Sequence, residues 1–166
     1  MPFALNSPTI IRIAFDSLVK FNGCAIVNAA NEGCLIGGGI DGLINSIGGP
    51  VLWAARQALP IIDMPNKVSN NIRCLTGDVK STPAGNLPCR LVIHAVGPRF
   101  KSFEGADHTK NLKVLEQAYT RSLHCAKQCN VKSIAFPIIS AGFFRGSCSL
   151  REVIKTGIES IATNVY

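Results

Sequence analysis

The hydrophobic positions of this chain fall into short runs, separated by loops that carry glycine, asparagine and proline. Residues 10–15 are rich in isoleucine and predict a first strand. Residues 24–27 form a continuous apolar run that stops at Asn28, the pattern of a strand buried on both faces of a parallel sheet. Glycines then crowd residues 33–42 and predict a loop. Residues 43–59 predict a helix that breaks or restarts at Gly48-Gly49-Pro50, because proline is tolerated as the first residue of a new helix. Residues 61–90 mix Asn, Pro and Gly and predict short strands and turns, and residues 91–95 predict another buried strand. Between 110 and 128, Leu112, Leu115, Tyr119, Leu123 and Ala126 recur at helical spacing, with Asn130 as the stop. Residues 133–136 predict a strand, followed by Pro137 and a second glycine-containing loop over 140–146. The last helix has Ser149 as its N-cap and apolar positions at Leu150, Val153, Ile154, Ile158 and Ile161.

Strands that alternate with helices predict an α/β fold with a mostly parallel sheet. Ligands of such sheets sit beyond the carboxyl ends of the strands. The loops after Val27 and after Phe136 both qualify by position, and both contain glycine.

Composition narrows the class. The 166 residues suit one domain, and 47% hydrophobic against 16% charged residues excludes intrinsic disorder. The greasiest stretch, 134–144, is interrupted by Pro137, Ser140 and Gly142, so no membrane span is expected. Met1-Pro2-Phe3 has no basic stretch followed by an apolar core, so no secretory leader is expected. An intracellular protein, cytoplasmic or nuclear, is the expectation. Seven cysteines, an odd number with no paired C-x-x-C, read as free thiols; Cys125 and Cys129 share a helical face but lack partners for a zinc set. No metal site and no cofactor are expected. The net charge of +7 attracts anions such as nucleotide phosphates or nucleic acid. The basic residues are nevertheless scattered from Arg12 to Lys155 without a run of three.

Candidate chemistry gathers on the two loops. Gly37-Gly38-Gly39 precede a helix start, where small residues let backbone N–H groups approach an anion such as a pyrophosphate. The segment is neither a Walker loop nor G-x-G-x-x-G. Asn31 and Asp41 bracket it. An amide suits sugar hydroxyls, and a carboxylate beside a bound sugar can orient or activate water. Asp41 has a rival role at the positive end of the helix dipole. Asp16 could accept from the exocyclic amine of a base, or begin a turn with Ser17. In the second loop, Ser140-Ala141-Gly142 allow a tight backbone approach, and one of Phe143 and Phe144 could pack on a sugar or base. His94 ends a buried strand with no nucleophile in register and reads as structural; His108 and His124 read as surface positions.

Taken in order, five segments resemble the macrodomain family, which binds ADP-ribose. They are Val27-Asn28-Ala29-Ala30-Asn31, Gly37-Gly38-Gly39-Ile40-Asp41-Gly42, Thr76-Gly77 through Leu87-Pro88, Val92-Ile93-His94-Ala95-Val96-Gly97-Pro98, and Ile134-Ala135-Phe136-Pro137 through Ser140-Ala141-Gly142. Asp41 after the glycines resembles the MacroD-type branch, whose members remove ADP-ribose from proteins. The resemblance implies a three-layer α/β/α fold with a mixed, mostly parallel sheet over one domain, 1–166. It implies that Asp16, with Ser17 beside it, meets the adenine. Ala29, the backbone from Gly37 to Ile40 and the segment from Ser140 to Phe144 would hold the rest of the ligand, chiefly its diphosphate and distal ribose. Asn31 would bond the terminal ribose, and Asp41 would position or activate the attacking water.

The chain departs from the family pattern in places. Ile36 stands where a fourth glycine is usual, and Asn45 where a histidine often follows the aspartate. Phe15-Asp16-Ser17 replaces Gly-Asp-Ile, and Arg145-Gly146-Ser147 replaces Gly, an aromatic and Pro. The strand that usually follows the last helix has no counterpart before Tyr166, which leaves the expected sheet without its final edge strand and suggests truncation. There is no Glu-Glu pair of the poly(ADP-ribose) glycohydrolase type. The leading expectation is therefore a hydrolase acting on mono-ADP-ribose esters of acidic side chains, and on O-acetyl-ADP-ribose. The alternatives are a reader of ADP-ribose or ADP-ribosylated proteins without turnover, and a nucleic-acid or poly(ADP-ribose) binder using the +7 charge.

Overall fold

The computed structural model of the chain describes residues 9–63, 71–103 and 105–165. Its elements follow the order β1 (Ala25–Ala30), α1 (Ile40–Gln57), β2 (Val79–Pro83), β3 (Leu91–Val96), α2 (Thr109–Gln128), β4 (Ile134–Ala135) and α3 (Leu150–Asn164), with short 3-10 turns at Leu18–Lys20 and Phe143–Arg145. Among the described residues, four strands form one sheet in the order β2-β3-β1-β4. β1 runs parallel to β3, with Ala25 opposite Leu91 and Ala30 opposite Val96, and parallel to β4. β2 is antiparallel to β3, so the sheet is mixed.

The two faces of the sheet build two cores. Ala25, Val27, Ile93 and Ala95 pack with Leu115 and Tyr119 of α2 and Val153 of α3. Ile26 and Val92, pointing the other way, pack with Ile44 and Leu52 of α1. This alternation is the period-two geometry of a strand, and it produces three layers with α1 on one side and α2 and α3 on the other. The interior strands β1 and β3 are buried almost throughout, as their unbroken apolar runs predict.

Three sequence expectations are corrected. Residues 10–15 join no sheet; Ile13 is 85% exposed and Phe15 fully so. β propensity alone does not make a strand, because its backbone groups need a neighbouring strand to bond. α1 begins at Ile40, earlier than its apolar stripe suggests, with Gly39 as an N-cap that offers no side chain. α3 buries Val153, Gly157 and Ser160, while Leu150 and Ile158 remain about half exposed. The small face turns inward because α3 lies tightly against α2: a Cβ on Gly157 would stand 2.8 Å from the Tyr119 ring.

The expected break in α1 is present. Gly49 has φ 68° and ψ −160°, and Pro50 opens the second half of the helix. The family-like final strand has no counterpart among the described residues, and β4 forms one edge of the sheet. Part of the predicted 61–90 segment, together with Tyr166, lies outside the described residues.

Candidate functional site

A cavity of about 480 Å³ opens at the carboxyl ends of β1 and β4. One wall comes from the end of β1 and the loop into α1: Ala29, Asn31, Gly37, Gly38, Gly39, Ile40 and Asp41. The other comes from the loop after β4: Ser140, Ala141, Gly142, Phe143 and Phe144. Ala30, Gly97, Ile138 and Ile139, which sequence reasoning did not single out, complete it. Asp16 and Ser17 do not line this cavity. The Asp16 carboxylate instead accepts from the Ser17 backbone N–H at 2.6 Å, the turn reading of that pair. With residues 10–15 unpaired to the sheet, no strand end carries Asp16 towards the ligand space.

The first wall is backed by buried charge. Asp41 sits in the first turn of α1 and is 2% exposed. Its Oδ1 accepts from Nδ2 of Asn28 and from Nη2 of Arg56, the latter at 2.7 Å with Arg56 fully buried. Its Oδ2 has no hydrogen-bond partner among the described residues. Asn28 Nδ2 also donates to Nδ1 of His94 at 3.0 Å, and Nε2 of His94 meets the Thr82 hydroxyl at 2.9 Å. Because Asn28 donates to Nδ1, the ring proton belongs on Nε2, which donates to Thr82. Burial, followed by the Arg56 charge, pushes the His94 ring down to about 3, so it stays neutral. Arg56 also donates to the Cys34 carbonyl at 2.7 Å and to Oδ1 of Asn45 at 3.4 Å. Sequence reasoning missed Arg56, Asn28 and Thr82 as members of this network.

Asn31 stands at the same corner. Its Nδ2 donates to the Ile36 carbonyl at 3.1 Å, which leaves the side chain at the cavity lip. Gly37 packs between the two candidate residues: a Cβ there would lie 2.6 Å from Asp41 Oδ2 and 3.3 Å from Asn31 Nδ2. Glycine at this position is what lets the carboxylate and the amide share one corner.

The second wall is held through the backbone. Ser140 has φ 59°, a left-handed conformation that a non-glycine residue rarely adopts. Its hydroxyl donates to the Pro98 carbonyl at 2.8 Å, and Gly97 lies so close beneath it that no Cβ fits. Tyr119 of α2 supports the same corner by accepting from the Ile139 N–H at 2.9 Å and donating to the Pro137 carbonyl at 3.3 Å. Burial pushes its phenol up to about 12. The Phe100 N–H donates to the Phe144 carbonyl at 2.8 Å. Phe143 is 81% exposed, and the Arg99 guanidinium lies 4.6 Å from its ring centre.

Two glycines of the cavity are unexplained by the packing of the described residues. Among the described residues, a Cβ on Gly38 or on Gly142 would meet nothing within 4 Å, and neither glycine has a positive φ. Both face the cavity, so the room that they leave belongs to whatever fills it. Gly38 also adjoins the N-terminus of α1, whose amides carry no side-chain cap and favour an anion. Among the described residues, no three His, Cys, Asp or Glu side chains gather closely enough to hold a metal ion. No helix among them is long and apolar enough to cross a membrane.

This arrangement, an α/β sheet with a glycine-lined cavity over its strand ends, matches a known family. Residues 27–156 match the model of the Macro domain, and the chain belongs to that family. It is 47% identical over 120 residues to a macro domain-containing protein of Vibrio parahaemolyticus, covering 72% of this chain and 64% of that relative. It is 37% identical over 134 residues to a protein of Pantoea vagans named O-acetyl-ADP-ribose deacetylase 1, covering 81% of this chain and 71% of that one. Among solved structures, the Oceanobacillus iheyensis macrodomain with ADP superposes with a TM-score of 0.72 at 32% identity, over 88% of this chain and 71% of that one. A single-residue variant of that macrodomain with ADPR gives 0.72 at 31% identity, over 87% and 72%.

Proposed function

We propose that this chain binds ADP-ribose in the cavity and hydrolyses it from proteins that carry it on acidic side chains. The observation that carries the reading is the Asp41 carboxylate: buried at the cavity wall, fixed through one oxygen and unpartnered at the other. The glycine walls suit a diphosphate, with Gly38 beside the uncapped α1 terminus on one side and Gly142 on the other. Asn31 offers its amide to the terminal ribose. Asp16 and Ser17 remain a proposal for the adenine end, one that requires the segment before β1 to move towards the cavity.

The chemistry then needs little from the protein beyond placement. Oδ2 of Asp41 accepts a hydrogen bond from a water held beside Asn31. That water attacks either the terminal ribose carbon or the acyl carbon of the ester, and the C–O bond to the modified side chain breaks. Water contributes its hydroxyl to one product and its proton to the other, giving ADP-ribose and the free acid. If attack is at the sugar, oxocarbenium charge develops there and the ligand's own diphosphate can share in stabilising it. The name of the Pantoea relative supports the acyl route, because an acetyl ester of ADP-ribose and an ester to an acidic side chain are the same functional group. The same site is accordingly proposed to deacetylate O-acetyl-ADP-ribose.

A second reading, a reader of ADP-ribosylated proteins without turnover, has one observation in its favour. Asn45 holds Arg56 at 3.4 Å and presents no imidazole for proton transfer. The test is release of ADP-ribose from a protein carrying it on glutamate or aspartate, run with wild type, Asp41→Ala and Asn31→Ala. The hydrolase reading expects release by wild type and a loss of about a hundredfold or more in Asp41→Ala. Calorimetric binding of ADP-ribose without any release establishes the reader instead.

A further inference from the structure

The guanidinium behind Asp41 has no part in the chemistry just described, yet the fold bends a helix to put it there. Asp41 and Arg56 are 15 residues apart. On an unbroken helix that separation is about 22 Å of rise, beyond the joint reach of the two side chains. Nη2 of Arg56 nevertheless lies 2.7 Å from Oδ1 of Asp41. The chain turns sharply at Gly49, whose φ of 68° suits glycine, and Pro50 starts the returning half. The 84–87 turn locks the bend: the Asn86 N–H donates to the Gly48 carbonyl at 3.0 Å, and Gly85 sits so near that carbonyl that no Cβ fits.

We infer that Arg56 is a positioning residue that selects which oxygen of Asp41 faces the ligand. The inference rests on the reading of the cavity given above and deepens it. The two oxygens of a carboxylate are chemically equivalent until something distinguishes them. Among the described residues, Oδ1 takes both donors, Asn28 and Arg56, and Oδ2 takes none. Oδ2 is the oxygen that lies over Gly37, beside the Asn31 amide. Without Arg56, Asn28 alone holds the group, and rotation about Cβ–Cγ can exchange the two oxygens. Arg56 does more than supply charge. Its planar fork joins Asp41, the Cys34 carbonyl at 2.7 Å and Asn45 at 3.4 Å, so one rigid group ties the loop bearing Asn31 and Gly37 to the first turns of α1. With side chains 0% and 3% exposed, this is an interior pair, and bulk solvent does not replace the contact between Nη2 and Oδ1.

The test is a double-mutant cycle of Arg56→Gln and Asp41→Asn, with Arg56→Lys alongside and melting curves to confirm that each variant folds. The readout is release of ADP-ribose from the ester-modified protein. Arg56→Gln is expected to slow release about thirtyfold, but to cost less than about threefold more once Asp41→Asn is present, because it acts through that carboxylate. Arg56→Lys, which restores the charge without the fork, is expected to recover part of the loss; a residue that merely filled space would give no such recovery. Losses that multiply across the cycle, or an Arg56→Gln rate within about threefold of wild type, overturn the inference. If Arg56→Gln does not fold, Arg56→Lys takes its place in the cycle. If wild type binds ADP-ribose but releases none, the hydrolase reading falls separately. The same cycle read by calorimetric affinity then decides the role of Arg56: non-additive changes support it and additive ones overturn it. A wild type that neither binds nor releases overturns both.

Discussion

The two walls of the cavity are built by different means. The α1 wall rests on side chains bonded to side chains: Thr82, His94, Asn28, Asp41 and Arg56 form one buried polar chain that ends in an ion pair. The wall after β4 rests on side chains bonded to backbone: Ser140 on the Pro98 carbonyl and Tyr119 on the Pro137 and Ile139 peptide groups. A side-chain network can orient one functional group sharply, at the cost of burying charge that must stay paired. A backbone-held loop presents amides and open space, which suits recognition of an extended ligand. The α1 wall thus has the build of a chemical site, and the other wall that of a cradle.

By this contrast, substitutions that disturb the first wall should cost the most stability, and those in the second should cost less stability and register in ligand affinity. The largest effect is expected from Gly85→Ala, which combines a φ of 62° with a Cβ driven into the Gly48 carbonyl at the α1 bend. A loss of about 3 kcal/mol is expected in chemical denaturation; a neutral Gly85→Ala would mean that the bend does not depend on this contact. Next comes acid. His94 is neutral in the fold down to about pH 3, whereas in the unfolded chain it takes up a proton near its ordinary 6.5. The unfolded state therefore binds more protons between those values. The stabilisation is complete above about pH 6.5 and is lost progressively as pH falls towards 3, roughly 2 kcal/mol of it by pH 5. Denaturation midpoints across that range should show this slope in wild type and a flatter one in His94→Gln.

Smaller effects belong to the cradle. Ser140→Ala removes the bond to Pro98 while keeping the left-handed backbone, and should cost about 1 kcal/mol. Ser140→Gly loses the same bond but relieves the backbone, so its melting temperature should stay close to that of wild type. The smallest change in stability is expected for Gly142→Ala, within about 0.5 kcal/mol, because its Cβ meets nothing. Its affinity for ADP-ribose should nevertheless fall about tenfold by calorimetry. An unchanged affinity would remove the second wall from the ligand's path.

What the sequence disclosed about this architecture follows from how local each signal is. β1, β3 and α2 were legible because burial on both faces, or on one helical stripe, writes itself directly into apolar spacing. The glycine loops were legible for the same reason: Gly37 and Gly39 mark positions where a side chain will not fit or the backbone turns unusually. The first predicted strand failed because strand formation depends on a partner elsewhere, and Ile11, Ile13 and Phe15 carry no record of one. The face of α3 was misjudged because Gly157 packs closely by lacking a side chain, and hydrophobicity does not register that. Arg56 was the least visible. A charged residue late in a helix reads as a solvated one, and only the turn at Gly49 carries it inward. The available signal was the pairing of two features read separately: an acidic residue at the helix start and a Gly-Gly-Pro break within reach of a cation beyond it.

The sealing of Arg56 against Asp41 also separates two kinds of electrostatics by their response to ionic strength. The net charge of +7 acts through solvent, where dissolved ions damp it over about 8 Å at physiological salt. Ions cannot enter between two side chains that are 0% and 3% exposed. Added salt should therefore slow the arrival of an anionic ligand while leaving the local field at Asp41 as it was. Under the hydrolase reading proposed above, encounter and turnover can then be dialled apart with nothing more than sodium chloride.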